Sequence, residues 1–141
     1  MTGTVLLRHR LRVRFRDCDP LGHVNNAVYL TYLEDARLTL WRAQIGGVAR
    51  TDEHGRRGEG FILARAEIDF RAQARYADEL EVRLALASFG RTSATYDYEI
   101  VDVKSNVTVA TAKTVQVWFD YDAQKPVPLS EDTKRKLSEP V

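Results

Sequence analysis

Residues 17 to 29 read Asp-Cys-Asp-Pro-Leu-Gly-His-Val-Asn-Asn-Ala-Val-Tyr, so two carboxylates, one imidazole and two carboxamides fall within ten residues. Asp17 and Asp19 have the chemistry of a base or nucleophile, and His23 that of a proton carrier. Pro20 and Gly22 mark the stretch as a loop, and an apolar, helix-periodic segment begins directly after it. A helix start presents unpaired backbone N–H groups and a partial positive charge, which polarise a carbonyl or hold an anion. A carboxylate beside such donors is a minimal apparatus for acyl transfer. Asp, Asn, Pro and Gly are equally the residues of any turn and helix cap, and His23 suits a structural loop as well as a catalytic one. Residue types alone leave both roles open.

The elements that must hold this loop follow from periodicity. Arg8 to Arg16 alternates charged and apolar residues at period two, so a strand is expected with Leu11, Val13 and Phe15 facing a core. From about Asn26 to Gln44 the pattern turns helical: Tyr29, Leu33, Ala36 and Leu40 form a stripe flanked by Leu30, Arg37 and Trp41. Asn25 or Asn26 is expected to cap its start and Gly46-Gly47 to end it. Apolar residues on most of its circumference predict an enclosed helix. Arg50 to Gly60, polar and glycine-rich, is expected to be a mobile connection.

Four more strand-like runs follow. Ile62, Ala64, Ala66, Ile68 and Phe70 alternate with Arg65, Glu67 and Asp69; Leu80 to Leu86 and Ala94 to Ile100 do likewise. Val107 to Tyr121 forms the last run, after a turn at Lys104-Ser105-Asn106. Ser130 is expected to cap a short final helix with an acidic first turn and a basic last one. One helix and about five mostly antiparallel strands predict a single α+β domain over residues 1–141, its sheet wrapped around the helix. A single helix cannot cover both faces of that sheet, so a homodimer or homotetramer is expected on burial grounds.

Composition excludes several functions. The chain has 141 residues, enough for one domain with a real core, and 44% hydrophobic with 29% charged residues, which argues against disorder. A formal net charge of +1, from 21 basic and 20 acidic side chains, removes the electrostatic drive of a nucleic-acid binder. Arg8, Arg10, Arg12, Arg14 and Arg16 read as a solvated strand face rather than a phosphate-binding tail. The single cysteine, Cys18, rules out an internal disulfide, and two flanking carboxylates argue against it as a nucleophile. No apolar run approaches the ~20 residues of a membrane span, and no secretory leader is evident, so a cytoplasmic protein without membrane contact is expected. His9, His23 and His54 show no ligand spacing, so neither a metal nor another cofactor is expected.

The stretch Arg16 to Trp41 resembles the thioesterase branch of the hotdog superfamily, in particular the 4-hydroxybenzoyl-CoA thioesterase group. The family patterns D-x-D-P-x-G and H-V-N-N are both present, as Asp17-Cys18-Asp19-Pro20-Leu21-Gly22 and His23-Val24-Asn25-Asn26. Weaker similarity covers Glu67 to Arg71, Ala74 to Leu80, Val117 to Asp120 and Pro126 to Leu129, so it extends over nearly the whole chain. The resemblance implies a hotdog fold and hydrolysis of an acyl-CoA, with an acyl-carrier protein as the other thioester donor. It implies that Asp19 attacks the thioester carbonyl or activates the water that does. Asn26 stands where the family offers a backbone N–H to the thioester oxygen, and His23 where some branches carry histidine. The segment Ser88 to Ser93 matches a dimer-edge region that meets CoA phosphates, making Arg91, Thr92 and Ser93 candidate substrate contacts. A plain hairpin turn at Gly90 is the alternative there. Tyr29 is a candidate wall of the acyl pocket, or a packing aromatic. One bacterial branch has a histidine where this chain has Asn26, and plant acyl-carrier-protein thioesterases have an asparagine where it has Leu21. Mechanisms that use those side chains do not carry over.

A carboxylate suits the reaction, because a thioester has little resonance stabilisation and a good leaving group; positioning and water exclusion then matter most. Glu34 and Arg37 are spaced for an (i, i+3) ion pair, with contact to an active-site water as the sharper alternative. Arg71 and Arg75 are solvated strand ends or further phosphate contacts. Two rivals are a hotdog hydratase or dehydratase and a non-catalytic acyl-binding module. The hydratase motif, Asp-x-Asn-Pro-x-His, is not matched here, and the binding module needs no carboxylate at Asp19.

Overall fold

In the computed structural model, which describes residues 1, 3–47 and 51–141, the alternating segments become five long strands. They are β1 (Val5–Arg12), β2 (Glu59–Phe70), β3 (Glu79–Phe89), β4 (Ser93–Asp102) and β5 (Val107–Asp120), with a two-residue β6 (Lys125–Pro126) beside β5. All pairings are antiparallel, in the order β1-β3-β4-β5-β2. One long helix, α1 (Val28–Ile45), lies against one face, as expected for an α+β hotdog domain. Tyr29, Tyr32, Leu33, Ala36, Leu40 and Trp41 of α1 pack on Leu80, Val82 and Leu84 of β3 and on Ala94, Tyr96, Tyr98 and Ile100 of β4. No helix among the described residues is long and apolar enough to cross a membrane.

Four sequence expectations need correction. The first strand ends at Arg12 rather than Arg16, and residues 15–17 form a single 3-10 turn. Phe15 consequently points outward and is 80% exposed, instead of facing the core. In β2 the register shifts between Leu63 and Arg65. Ile62 pairs with Val117, whereas Ala66, Ile68 and Phe70 pair with Thr114, Ala112 and Ala110 on the other face, so one alternation does not run the length of the strand. The helix is not enclosed within one chain: Leu30, Thr31, Glu34, Asp35 and Arg42 are exposed. Its start is capped by neither asparagine in the expected way. Ala27 occupies the cap, and the Asn25 Oδ1 accepts from the Ala27 N–H at 3.0 Å.

The helix end is as expected. Gly46 adopts φ +83, and its N–H bonds the Trp41 carbonyl. Gly46→Ala is expected to cost roughly 1 kcal/mol in chemical denaturation, because a Cβ is strained in the left-handed region. The Ser130 Oγ accepts from the Thr133 N–H at 3.1 Å and caps α2 (Glu131–Leu137). The Gln44 amide then ties α1 to the carbonyls of Leu137 and Glu139. Of the segment expected to be a mobile connection, Arg50 lies outside the described residues, residues 51–58 form an exposed, turn-bearing connection, and Glu59 and Gly60 already belong to β2. The Asp122 carboxylate accepts from the Arg57 and Gly58 N–H groups at 2.9 and 2.8 Å.

On the outer sheet face Arg8 and Arg10 share one buried acid. Glu81, only 7% exposed, accepts from Arg83, Arg8 and Arg10. The Arg83 bond, aided by those of Arg8 and Arg10, outweighs burial and holds the Glu81 carboxyl below its usual range. A depressed folded pKa contributes stability above the unfolded value, and that contribution is lost as pH falls through the folded one. Glu81→Gln is therefore expected to lower the denaturation midpoint at neutral pH, with the gap to wild type closing in acid.

Candidate active site

The loop after β1 is fixed at both ends before it exposes any reactive group. The buried Val13 exchanges backbone bonds with the β2–β3 connection: its N–H donates to Asp78 at 2.9 Å, and its carbonyl accepts from Ala77 at 3.1 Å. Asp17 follows, 3% exposed. Its carboxylate accepts from the Arg14 N–H at 2.9 Å, the Arg14 guanidinium at 3.2 Å and the Tyr32 hydroxyl of α1 at 2.8 Å. Its carbonyl accepts the Asn25 N–H at 2.9 Å. Burial pushes the Asp17 carboxyl up, but the bonds from the Arg14 backbone, Tyr32 and the Arg14 side chain more than offset it, and the carboxyl stays below its ordinary value. Burial, reinforced by that carboxylate, pushes the Tyr32 hydroxyl well above its ordinary value. Of the two acids in the motif, Asp17 is therefore an anchor, with no oxygen left to face a substrate.

Asp19 is built differently. Cys18 and Val24 pair across a miniature hairpin. The Asp19 N–H donates to the His23 carbonyl at 3.0 Å, and the Gly22 N–H to the Asp19 carbonyl at 3.0 Å. Gly22 has φ +89, a conformation this tight turn requires and a side chain resists. One carboxylate oxygen of Asp19 accepts the Leu21 N–H at 2.9 Å, and the other accepts nothing among the described residues. The hairpin rests on Ala74, whose carbonyl accepts the Val24 N–H at 2.8 Å.

Asp19 opens into a depression of about 360 Å³ walled by Phe15, Cys18, Pro20, Gly22 and Tyr76. Phe15 and Tyr76 meet edge to face at 5.9 Å. His23, Asn26 and Tyr29 line a neighbouring cleft of about 230 Å³ with Phe70, Arg71 and Gln73. The structure thus gathers His23, Asn26 and Tyr29 in one cleft and sets Asp19 in another depression; Gly22, which lines the one, and His23, which lines the other, are consecutive in the hairpin. The Asn26 N–H takes no backbone partner among the described residues. Arg91, Thr92 and Ser93 are not part of this group. Ser93 opens β4 opposite Val117, whereas Ile100, opposite Ala110 and hence level with Phe70, marks the cleft end. Seven residues of strand separate the two, roughly 23 Å.

The remaining candidates resolve as follows. Glu34 and Arg37 do not pair; the buried Arg37 instead donates to the Tyr98 hydroxyl at 3.3 Å, because its side chain turns under the helix toward β4. The Arg71 Nε donates to Thr111 at 3.2 Å at the rim of the His23 cleft. His9 bonds Asp35, and His54 lies beside Glu53. Sequence reasoning missed Phe15, Tyr76 and Ala74. Phe15 was hidden by an alternation that stops three residues earlier, and Ala74 acts through its backbone, which no side-chain pattern reports.

Comparison with known proteins adds a family context. The profile of the thioesterase-like superfamily matches residues 13–137. Acyl-acyl carrier protein thioesterase ATL3 of Arabidopsis thaliana is 27% identical over 127 residues, covering 90% of this chain; the chain spans 65% of that protein's length. Long-chain acyl-CoA thioesterase FadM of Escherichia coli is 27% identical over 138 residues, 96% of this chain and 99% of that one. The structure of a Thermus thermophilus thioesterase complexed with coenzyme A and Zn superposes with a TM-score of 0.76 at 32% identity, covering 95% of this chain and 98% of that one.

Proposed function

The chain belongs to the thioesterase-like superfamily and is a thioester hydrolase, and from that premise we propose that it cleaves acyl-CoA with Asp19 as the reacting carboxylate. The observation that carries this reading is the unpartnered Asp19 oxygen, open to a depression while its twin is held by the Leu21 N–H. The substrate carbonyl lies between Asp19 and the free Asn26 N–H, which polarises the oxygen as negative charge develops on it. Asp19 then adds to the carbonyl carbon, expelling the CoA thiolate and leaving a mixed anhydride that water hydrolyses. In the other route it takes a proton from the attacking water. His23, in the same cleft as Asn26, is positioned to carry a proton to the departing thiolate.

The acyl-CoA relatives and the coenzyme A complex support CoA as the carrier, and the plant relative supports an acyl-carrier protein as a second donor. Arg91, Thr92 and Ser93 serve the CoA phosphates from a partner subunit. Antiparallel pairing of two β2 edges sets the Phe70 end of one strand beside the Glu59 end of the other, and β4 begins at the Glu59 end.

The test is thiol release across a panel of aryl, short-chain and long-chain acyl-CoAs and acyl-carrier proteins. Failure to hydrolyse any of them overturns the substrate class. Arg91→Ala is expected to raise KM for acyl-CoA about tenfold with little change in kcat. A pantetheine thioester without the nucleotide should show no such difference between the two proteins.

A further inference from the structure

Two exposed aromatic rings stand at the mouth of the Asp19 depression. Phe15 and Tyr76 are 80% and 59% exposed and meet at an interplanar angle of 85°. Neither belongs to the buried core. Their positions are nevertheless fixed through the backbone. Phe15 opens the 3-10 turn between the buried Val13 and the buried Asp17. Tyr76 sits in a turn closed twice: the Asp78 N–H bonds the Arg75 carbonyl at 3.1 Å, and the Asp78 carboxylate accepts the Arg75 N–H at 2.8 Å. The next residue, Ala77, holds φ +71, a left-handed conformation that a side chain resists. Its N–H bonds the Val13 carbonyl, so the two loops hold the rings as one unit. An exposed apolar pair on a strained, locked turn adds nothing to the core, and such strain gathers where ligands are gripped.

The two hollows that share the hairpin differ in chemistry. The Asp19 depression is walled by the two rings, Pro20 and Cys18, and Asp19 is its only charged group among the described residues. The other cleft presents the His23 imidazole, the Asn26 and Gln73 amides and the Arg71 guanidinium. A coenzyme A thioester has two unlike arms. Its pantetheine arm carries amides and leads to phosphates, so it calls for donors, acceptors and a cation. Its acyl arm calls for apolar surface.

We propose that Phe15 and Tyr76 form the acyl subsite and select an uncharged, apolar acyl group, while the carrier arm leaves through the His23 cleft. The proposal rests on Asp19 as the reacting carboxylate and adds the direction in which the substrate lies. Two perpendicular rings make a corner, in which a chain or an aryl ring lies on one face and meets the edge of the other. An acyl group bearing its own carboxylate would face the Asp19 charge with no cation beside it, and is rejected.

The readout is kcat/KM along acetyl-, butanoyl-, hexanoyl- and octanoyl-CoA. Each added methylene is expected to raise it about twofold in the wild type, since an open depression covers only part of each group. Phe15→Ala and Tyr76→Ala are each expected to lower the octanoyl-to-acetyl ratio about tenfold, and Tyr76→Phe, which keeps the ring, to preserve it. Succinyl-CoA, matched in length to butanoyl-CoA, is expected to react about 100-fold more slowly. Melting curves check folding, and because the two rings lie on separate loops, either position decides if the other variant does not fold. A wild type that cleaves none of these thioesters would overturn the acyl-CoA reading itself. Hydrolysis with an unaltered ratio in the folded alanine variants, or equal rates on succinyl- and butanoyl-CoA, overturns the subsite alone. A ratio lowered by Phe70→Ala and by neither of the other two would put the acyl arm in the His23 cleft and overturn it as well.

Discussion

Asp19→Asn is expected to lower kcat for acyl-CoA hydrolysis about 1,000-fold or more, with the thermal midpoint unchanged. The two halves of that result have separate causes. Asparagine keeps a carbonyl oxygen where the Asp19 Oδ1 accepts the Leu21 N–H, so the turn and the Cys18–Val24 pairing survive. What it loses is the basic, nucleophilic oxygen that faces the depression. An amide neither attacks a thioester at a useful rate nor takes a proton from water. Following thiol release and melting together separates loss of chemistry from loss of fold. Unchanged thiol release in a folded D19N protein would sink the assignment. Isolation of an acyl-enzyme in the wild type would choose the nucleophilic route over the general-base one.

Asp17→Asn should give the largest stability loss among the loop variants, about 3 kcal/mol at neutral pH by denaturant titration. Three donors converge on this carboxylate from Arg14 and Tyr32. The amide cannot accept from all three, and its NH₂ is turned toward a donor. The effect depends on pH in a defined direction. The folded carboxyl is held below its usual range, so its contribution is complete above the unfolded value of ~3.9 and disappears as pH falls through the folded one. The gap between wild type and D17N should therefore be widest at neutral pH and shrink in acid. Tyr32→Phe removes one of the same bonds, so the double variant should be less destabilised than the two single losses combined. A gap that widens in acid would refute this account. Activity should fall too, since the Asp17 carbonyl holds the Asn25 N–H next to Asn26.

The extent to which this structure could be read from the chain depended on what kind of group does each job. The strands β3, β4 and β5 and the helix α1 were legible because their buried faces repeat at periods of two and 3.6. Gly46 and Ser130 were legible because helix ends have few chemical solutions. The end of β1 was not: Phe15 continues the alternation in the sequence, but a 3-10 turn needed to bury Asp17 rotates it outward. The register shift in β2 was equally invisible, since one extra residue leaves composition unaltered while exchanging faces. At the site, the motif identified the hairpin and its reactive types. Residue types alone did not separate Asp17 from Asp19; the family resemblance pointed to Asp19, and what the sequence could not carry is who donates to each carboxylate. Nor did it foresee that Arg37 would leave Glu34 for Tyr98, 61 residues further along the chain and beyond any local spacing rule.

Ala74 gives its carbonyl to the Val24 N–H of the hairpin that carries Asp19, though it belongs to the segment joining β2 to β3, and Ala77 and Asp78 of that segment bond Val13 just before the hairpin. The two loops are thus mechanically one part. Lengthening or shortening the 71–78 segment, the obvious way to reshape the mouth for a new acyl group, would drag Asp19 out of alignment along with it. Anyone re-engineering this enzyme's substrate range should graft both loops together, or confine changes to side chains such as Tyr76 that leave those backbone bonds in place.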